Sequence, residues 1–293
     1  MSDVTCDSTV EMPEAERTAV RRRGGARTVY LWELEKLTAQ WRISAVLVLC
    51  LVAPFLFALG LKAQDTLPSD TLFGRWAHDS GFAVPLVVLG FAGQWALPLL
   101  VCLVAGDIFS SEDHHGTWKT ILTRSRTRGQ IFAGKTLAAV TYSVVVVLLL
   151  GAGSLAAGVL VIGHQPLVGL SGQEIEAGRA AGIVVESWLY MVLPCLAFTA
   201  LGVFFSLATR HSAAGIGAPA VLGLLLQLVS LVDGLGPVRR LLPTTSFDAW
   251  HGLTTEPAFH QPLVTGAYVS VGWAAVCLTA GHVLMLRRDF TKG

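Results

Sequence analysis

The chain has 293 residues, is 53% hydrophobic and is only 14% charged, against about 25% charged in soluble domains. With a mean hydropathy of +0.61, this composition excludes an ordinary soluble domain and points to an integral membrane protein. The net charge of +1 gives no electrostatic footprint for nucleic acid, and no nucleic-acid partner is expected.

Residues 1–27 contain Pro13, three glutamates and the run Arg21, Arg22, Arg23. They read as a disordered cytoplasmic tail with weak attraction to anionic lipid. The first apolar run begins near Ile43, too late for a cleavable signal. Residues 28–42 read TVYLWELEKLTAQWR. Tyr30, Leu34, Leu37 and Trp41 share one helical face, and Glu33, Lys36 and Gln40 occupy much of the rest. This predicts an amphipathic helix in the membrane interface, anchored by Trp32 and Trp41. The alternative is an extended start of the first span.

Six apolar stretches are long enough to cross a bilayer: 43–62, 83–105, 136–162, 187–208, 213–232 and 266–286. The third and fourth have room to be longer, tilted or kinked. Of the 21 lysines and arginines, 16 fall on the side of the N-terminus. That asymmetry predicts cytoplasmic N- and C-termini in a plasma (inner) membrane protein. Four of the five cysteines lie inside apolar runs as small hydrophobes, and no C-x-x-C pair exists. The expected fold is all-α and polytopic, with a permease domain over 28–290.

Between spans two and three lies a coupling segment, 107–135. Ser110 and Asp113 resemble a capping box, and Trp118, Ile121 and Leu122 fall at helical spacing, which predicts a short amphipathic helix over 110–123. Arg124, Arg126 and Arg128 follow. Residues 129–136 read GQIFAGKT, a formal match to the phosphate-binding loop G-x-x-x-x-G-K-[ST]. Such a loop must follow a buried strand. Here ILTRSRTR precedes it and a membrane span follows. No non-membrane stretch exceeds about 42 residues, too few for a nucleotide-binding domain. The match is a chance one. Lys135 is expected to snorkel to the inner interface and mark the start of the third span.

The same residues carry a resemblance. Glu112-x-x-x-Gly116-Thr117, then Ile121-Leu122-Thr123-Arg124, Arg128 and Gly134-Lys135, resemble the segment after the second span in type-two ABC exporter permeases. Leu242-Pro243 agrees with that family too. One departure is His114-His115, where the family often has arginine or lysine. The resemblance implies a permease subunit that is no enzyme itself. A separate ABC ATPase subunit would carry ATP and Mg²⁺, a second permease chain would complete a homo- or heterodimer, and the 107–135 segment would dock the ATPase. By the resemblance, Glu112, Asp113, His114, His115, Gly116, Thr117 and Trp118 are contact candidates. Arg124, Arg126 and Arg128 would face acidic ATPase surface or lipid.

Gln94 in the second span and Gln227 in the fifth are the notable polar residues inside spans. Interhelical hydrogen bonding is their plain reading, and a place in the translocation path is their functional one. No metal site is expected, because His114 and His115 are adjacent and point to different faces. The spans lack midplane charges, which argues against an ion-coupled carrier. An ATP-independent carrier or membrane scaffold is the alternative function. Small residues at 151–163 and 213–220 permit close helix approach. The outer segment 233–265 is expected to fold as short helices, and the substrate is not readable.

Overall fold

A computed structural model of the chain describes residues 25–64, 72–118, 126–230 and 236–288. Most of the N-terminal tail, Arg124 and the Ile121–Leu122 half of the predicted coupling helix lie outside the described residues. Helix α1 (Ala26–Thr38) ends at Ala39, and Gln40 is extended at φ −85° and ψ 113°. The break makes α1 a separate element from the first span, α2 (Trp41–Ala63). The second span is α3 (Ala83–Phe91), a π turn at Ala92–Ala96 and α4 (Leu97–Ala105). Pro98 explains the turn: it has no N–H for the carbonyl of Gln94, and its ring would clash there, so the ladder widens.

A five-residue helix, α5 (Ser110–His114), precedes the third span, α6 (Arg128–Ala157), which ends in a π turn at Gly158–Ile162. The third span runs 35 residues, about 52 Å of helix against a hydrocarbon core of about 30 Å. It begins eight residues before the predicted start and projects beyond the bilayer at the α1 end. A small hairpin, β1 (Leu167–Val168) against β2 (Glu174–Ile175), leads to the fourth span. That span is α7 (Ala177–Tyr190) and α8 (Val192–Thr209), jointed at Met191 near Pro194. The fifth span is α9 (Ser212–Ser230). A short helix, α10 (Gly236–Arg239), and a 3-10 stretch at Pro243–Thr254 precede the sixth, α11 (Gln261–Arg287). The six spans and the short outer helices match the sequence expectation.

The fourth span is the hub. Its apolar window is 67% buried, against 11% for the fifth span and 22% for the first and sixth. Helix α8 packs on α11, α9, α4 and α6. Glycine sets the closest approaches. Gly106 at the end of α4 and Gly215 in α9 abut so closely that a Cβ on either would strike the other's carbonyl oxygen. A Cβ on Gly134 in α6 would come within 2.7 Å of Val29 Cβ in α1. These contacts put the small-residue stretches to work within the subunit.

One expectation about α1 is corrected. The side packed inside the protein is Val29, Glu33 and Leu37; of the four residues expected on one apolar face, Leu37 is buried, Tyr30 and Leu34 are half-buried, and Trp41 lies outside the helix. Trp41 belongs to α2 and is 82% exposed. Burial of a glutamate rotates the helix away from its most apolar stripe, and the reason lies in the partner that Glu33 meets.

Replacing Gly106 by valine will lower stability by about 1–3 kcal/mol or more through overpacking. Gly217→Ala in the same helix as Gly215 will be neutral or stabilising, because nothing lies within 4 Å of a Cβ there. Thermal unfolding in detergent measures both.

Candidate functional site

The 106–118 segment is fixed by bonds to α1, α2, α6, α8 and the end of α11. Its helix α5 is too short to hold itself. The N–H groups of Phe109 and Ser110 donate to Ser206 Oγ of α8, at 3.1 and 2.9 Å. A side chain from another span thus caps α5. The expected Ser110–Asp113 capping box is absent: Phe109 is the N-cap, and Ser110 Oγ donates to the carbonyl of Gly106 at 2.9 Å. A true capping box stands at Thr127 and Gln130, at the head of α6. Its T-x-x-Q pattern was readable in the sequence.

Each acidic residue of the segment meets a cation from a different part of the chain. Asp107 pairs with Arg42 of α2 at 2.5 Å. Glu112 accepts from Lys36 of α1 at 2.7 Å and from Lys135 of α6 at 2.9 Å. Asp113 pairs with Arg288, just past α11. Lys135 also donates to Glu33 of α1 at 2.7 Å and to the Ile108 carbonyl at 3.0 Å. Lys36, Lys135, Glu33 and Glu112 form a neutral four-membered network.

Lys135 corrects a second expectation. It does not snorkel to lipid phosphate: it is 1% exposed and has two carboxylates and a carbonyl around its ammonium. Residues 129–136 lie inside α6 rather than in a loop. Their backbone groups belong to the helix, and the lysine holds protein carboxylates, so the string has no phosphate-loop geometry. Gly134 has a structural use, since it lets Val29, and with it Glu33, approach. Burial on its own would raise the Glu112 carboxyl. The Lys135 charge, with hydrogen bonds from Lys36, Thr117 and Lys135, outweighs it and holds the group at about 2, below the ordinary 4.5.

The candidate contact residues divide in two. Glu112 and Trp118 are buried, and Asp113 and Thr117 are half-buried, whereas His114, His115 and Gly116 are exposed. Trp118 lies parallel to Phe109 at 6.4 Å, and the Arg288 guanidinium sits 5.6 Å above its ring. Thr117 Oγ1 donates to Glu112. Glu112, Asp113, Thr117 and Trp118 therefore root the segment, and 114–116 form its tip. Gly116 turns the tip at φ +64°, a left-handed conformation that favours glycine. Beside the tip opens a cleft of about 600 Å³ lined by Lys36, Trp41, Arg42, Asp107, His114 and His115.

The basic residues 126 and 128 also turn inward. Arg128 Nη1 donates to the carbonyls of Leu286 and Arg288 at 2.6 and 2.8 Å, closing the C-terminus of α11. The Arg126 guanidinium lies 5.7 Å over the Trp32 ring. Neither contact was readable from spacing, because each joins residues far apart in sequence.

The two glutamines lie apart from this segment. Gln94 sits in the π turn and donates from Nε2 to Asp248 Oδ1 at 3.1 Å. Gln227 is half-buried on α9.

This architecture has a counterpart among known families. Residues 31–226 match the ABC-2 family transporter protein. The chain belongs to that family. No curated protein matches the chain. The match spans the first five membrane helices and the whole ion-paired segment. It identifies the chain as a membrane permease of the ABC transporter class.

Lys135→Met in this permease will strand the buried Glu33, leave Glu112 with Lys36 as its one cation, and lower stability by about 3–5 kcal/mol. Adding Glu112→Gln will recover part of that loss, read as a coupling energy in a double-mutant cycle of thermal unfolding. Acid will act on the same group. Because the folded carboxyl lies below its unfolded value, its contribution is complete above pH 4.5 and fades as pH falls towards about 2. Unfolding temperatures across that window will drop in the unaltered permease and drop less in Glu112→Gln.

Proposed function

We propose that this permease couples ATP hydrolysis on a separate ATPase subunit to substrate export, with His114, His115 and Gly116 as the contact tip. The observation that carries the reading is an exposed tip on a root bound by ion pairs to α1, α2, α6 and the end of α11. A short surface element rooted in this way can pass a displacement to the spans rather than yield by itself. ATP and Mg²⁺ belong to the partner, and ATP closes the partner's subunits on one another. The closed and open ATPase states bind the tip with different affinity, and that difference drives the spans between orientations.

The positive-inside bias of lysine and arginine supports a plasma-membrane orientation with both termini and the tip in the cytoplasm. A second permease chain is part of the proposal. The exposed row Val221, Leu224, Leu225 and Leu228 on α9 supports it, as does the family. Gln94 and Gln227 are assigned to the translocation path. Lipid covers the remaining apolar faces.

The test is co-purification with an ATPase, followed by its hydrolysis rate in nanodiscs. Gly116→Val and His114→Glu/His115→Glu will weaken the association by about tenfold, the effect of losing one good contact. The histidine pair variant will leave the unfolding temperature close to that of the unaltered chain, whereas Gly116→Val will lower it, because a β-branched residue is strained at φ +64°. If the purified chain alone moves substrate down an ion gradient, the proposal fails and an ATP-independent carrier takes its place.

A further inference from the structure

The end of the second span opposite α1 presents a carboxylate without a cation. Asp248 lies on the 3-10 stretch, between Phe247 and Trp250, which are 2% and 1% exposed. Those two side chains fix the stretch against the core and leave Asp248 half-buried at its rim. Among the described residues its side chain is hydrogen-bonded to the Gln94 amide, at 3.1 Å. Among the described residues no lysine or arginine forms an ion pair with it. Every acidic residue of the opposite segment has such a pair.

Asp248 and Gln94 line a cavity of about 260 Å³ whose other walls include Phe73, Phe91, Trp95 and Trp250. His251 lines it too, but burial pushes its imidazole down, and the Asp248 charge only partly offsets this. No lysine or arginine lines this cavity. A second cavity, of about 390 Å³, shares Phe91 with the first and is walled by Pro54, Phe57, Val88, Ala92 and Leu150. It offers no charged group. The π turn at 92–96 contributes to both walls, with Gln94 and Trp95 in one and Ala92 and Ala96 in the other.

We infer that the two neighbouring cavities, on either side of Phe91, bind an amphipathic organic cation, with its ammonium or amidinium head at Asp248 and its hydrocarbon part along Phe57, Val88 and Leu150. Aromatic faces around a carboxylate attract an organic cation. One carboxylate and one amide are too few ligands for a hard divalent ion. The apolar cavity gives the site room for a tail that a small polar cation would leave empty. As a substrate site this rests on the permease reading; as a binding site it stands without it. The head can belong to a membrane lipid or to a free amphiphile.

Equilibrium dialysis of the full chain in phosphatidylglycerol nanodiscs tests it, with empty nanodiscs subtracted. The probes are decyltrimethylammonium and decyl glucoside, which share a tail. The expected result is about tenfold tighter binding of the cation, the scale of one desolvated charge contact. Asp248→Asn will remove that preference, and Asp248→Glu will keep it. No preference in the unaltered chain, or an undiminished one in Asp248→Asn, overturns the inference. If Asp248→Asn does not fold, the comparison of the two probes on the unaltered chain decides. Competition by added phosphatidylethanolamine would make a lipid ammonium the occupant; its absence would make it a free amphiphile, and both outcomes require Asp248. His114→Glu/His115→Glu keeps the two proposals apart, because it will weaken ATPase association and retain cation binding.

Discussion

An ammonium group that is 1% exposed at the head of the third span has to be neutralised where it stands. Lys135 meets that requirement with Glu33 and Glu112, and much of the α1 end follows from it. Helix α1 turns a glutamate inward to reach the lysine. Gly134, one residue earlier, removes the side chain that would hold α1 away. Glu112 takes Lys36 as a second partner, and the segment after the second span is drawn against both helices. Charges this deep are seldom a gain in stability over an apolar core. What the network supplies here is position, since each member has a partner on another element.

The two ends of the bundle contrast. At the α1 end, carboxylates and cations are matched and the only exposed part of the segment is its three-residue tip. At the other end, an outer segment of short helices leaves Asp248 with an amide in place of a cation. The fourth span runs between them as the most buried helix, and Ser206 of that span caps the segment helix at its base. Two hydrogen bonds thus tie the base of the segment to the hub.

Most of the fold was legible because a membrane span is a one-dimensional signal: an apolar run of sufficient length. Charge counts on the loops are equally local, and so was the Thr127–Gln130 box, which the Ser110–Asp113 pattern obscured. The candidate site was legible only as a segment. Lys135 reads as a boundary residue because a cation beside an apolar run commonly snorkels. Its partners Glu33 and Glu112 stand 102 and 23 residues away, and nothing in the spacing announces that Gly134 opens a path for the first of them. Gln94 and Asp248 are separated by 154 residues, so a polar residue in a span could be noticed but its partner could not. The division of the segment into root and tip depends on burial, which is decided by helices whose packing no local pattern records.

The ties to the sixth span also set an order of assembly. Asp113 and Arg128 emerge early in synthesis, yet Arg288 and the carbonyls of Leu286 that complete them lie within the last eight residues of the chain. Until the sixth helix has inserted, one acidic residue of the segment lacks its counter-ion and Arg128 lacks its acceptors. The segment is therefore completed only by residues 158 and 175 positions downstream of it.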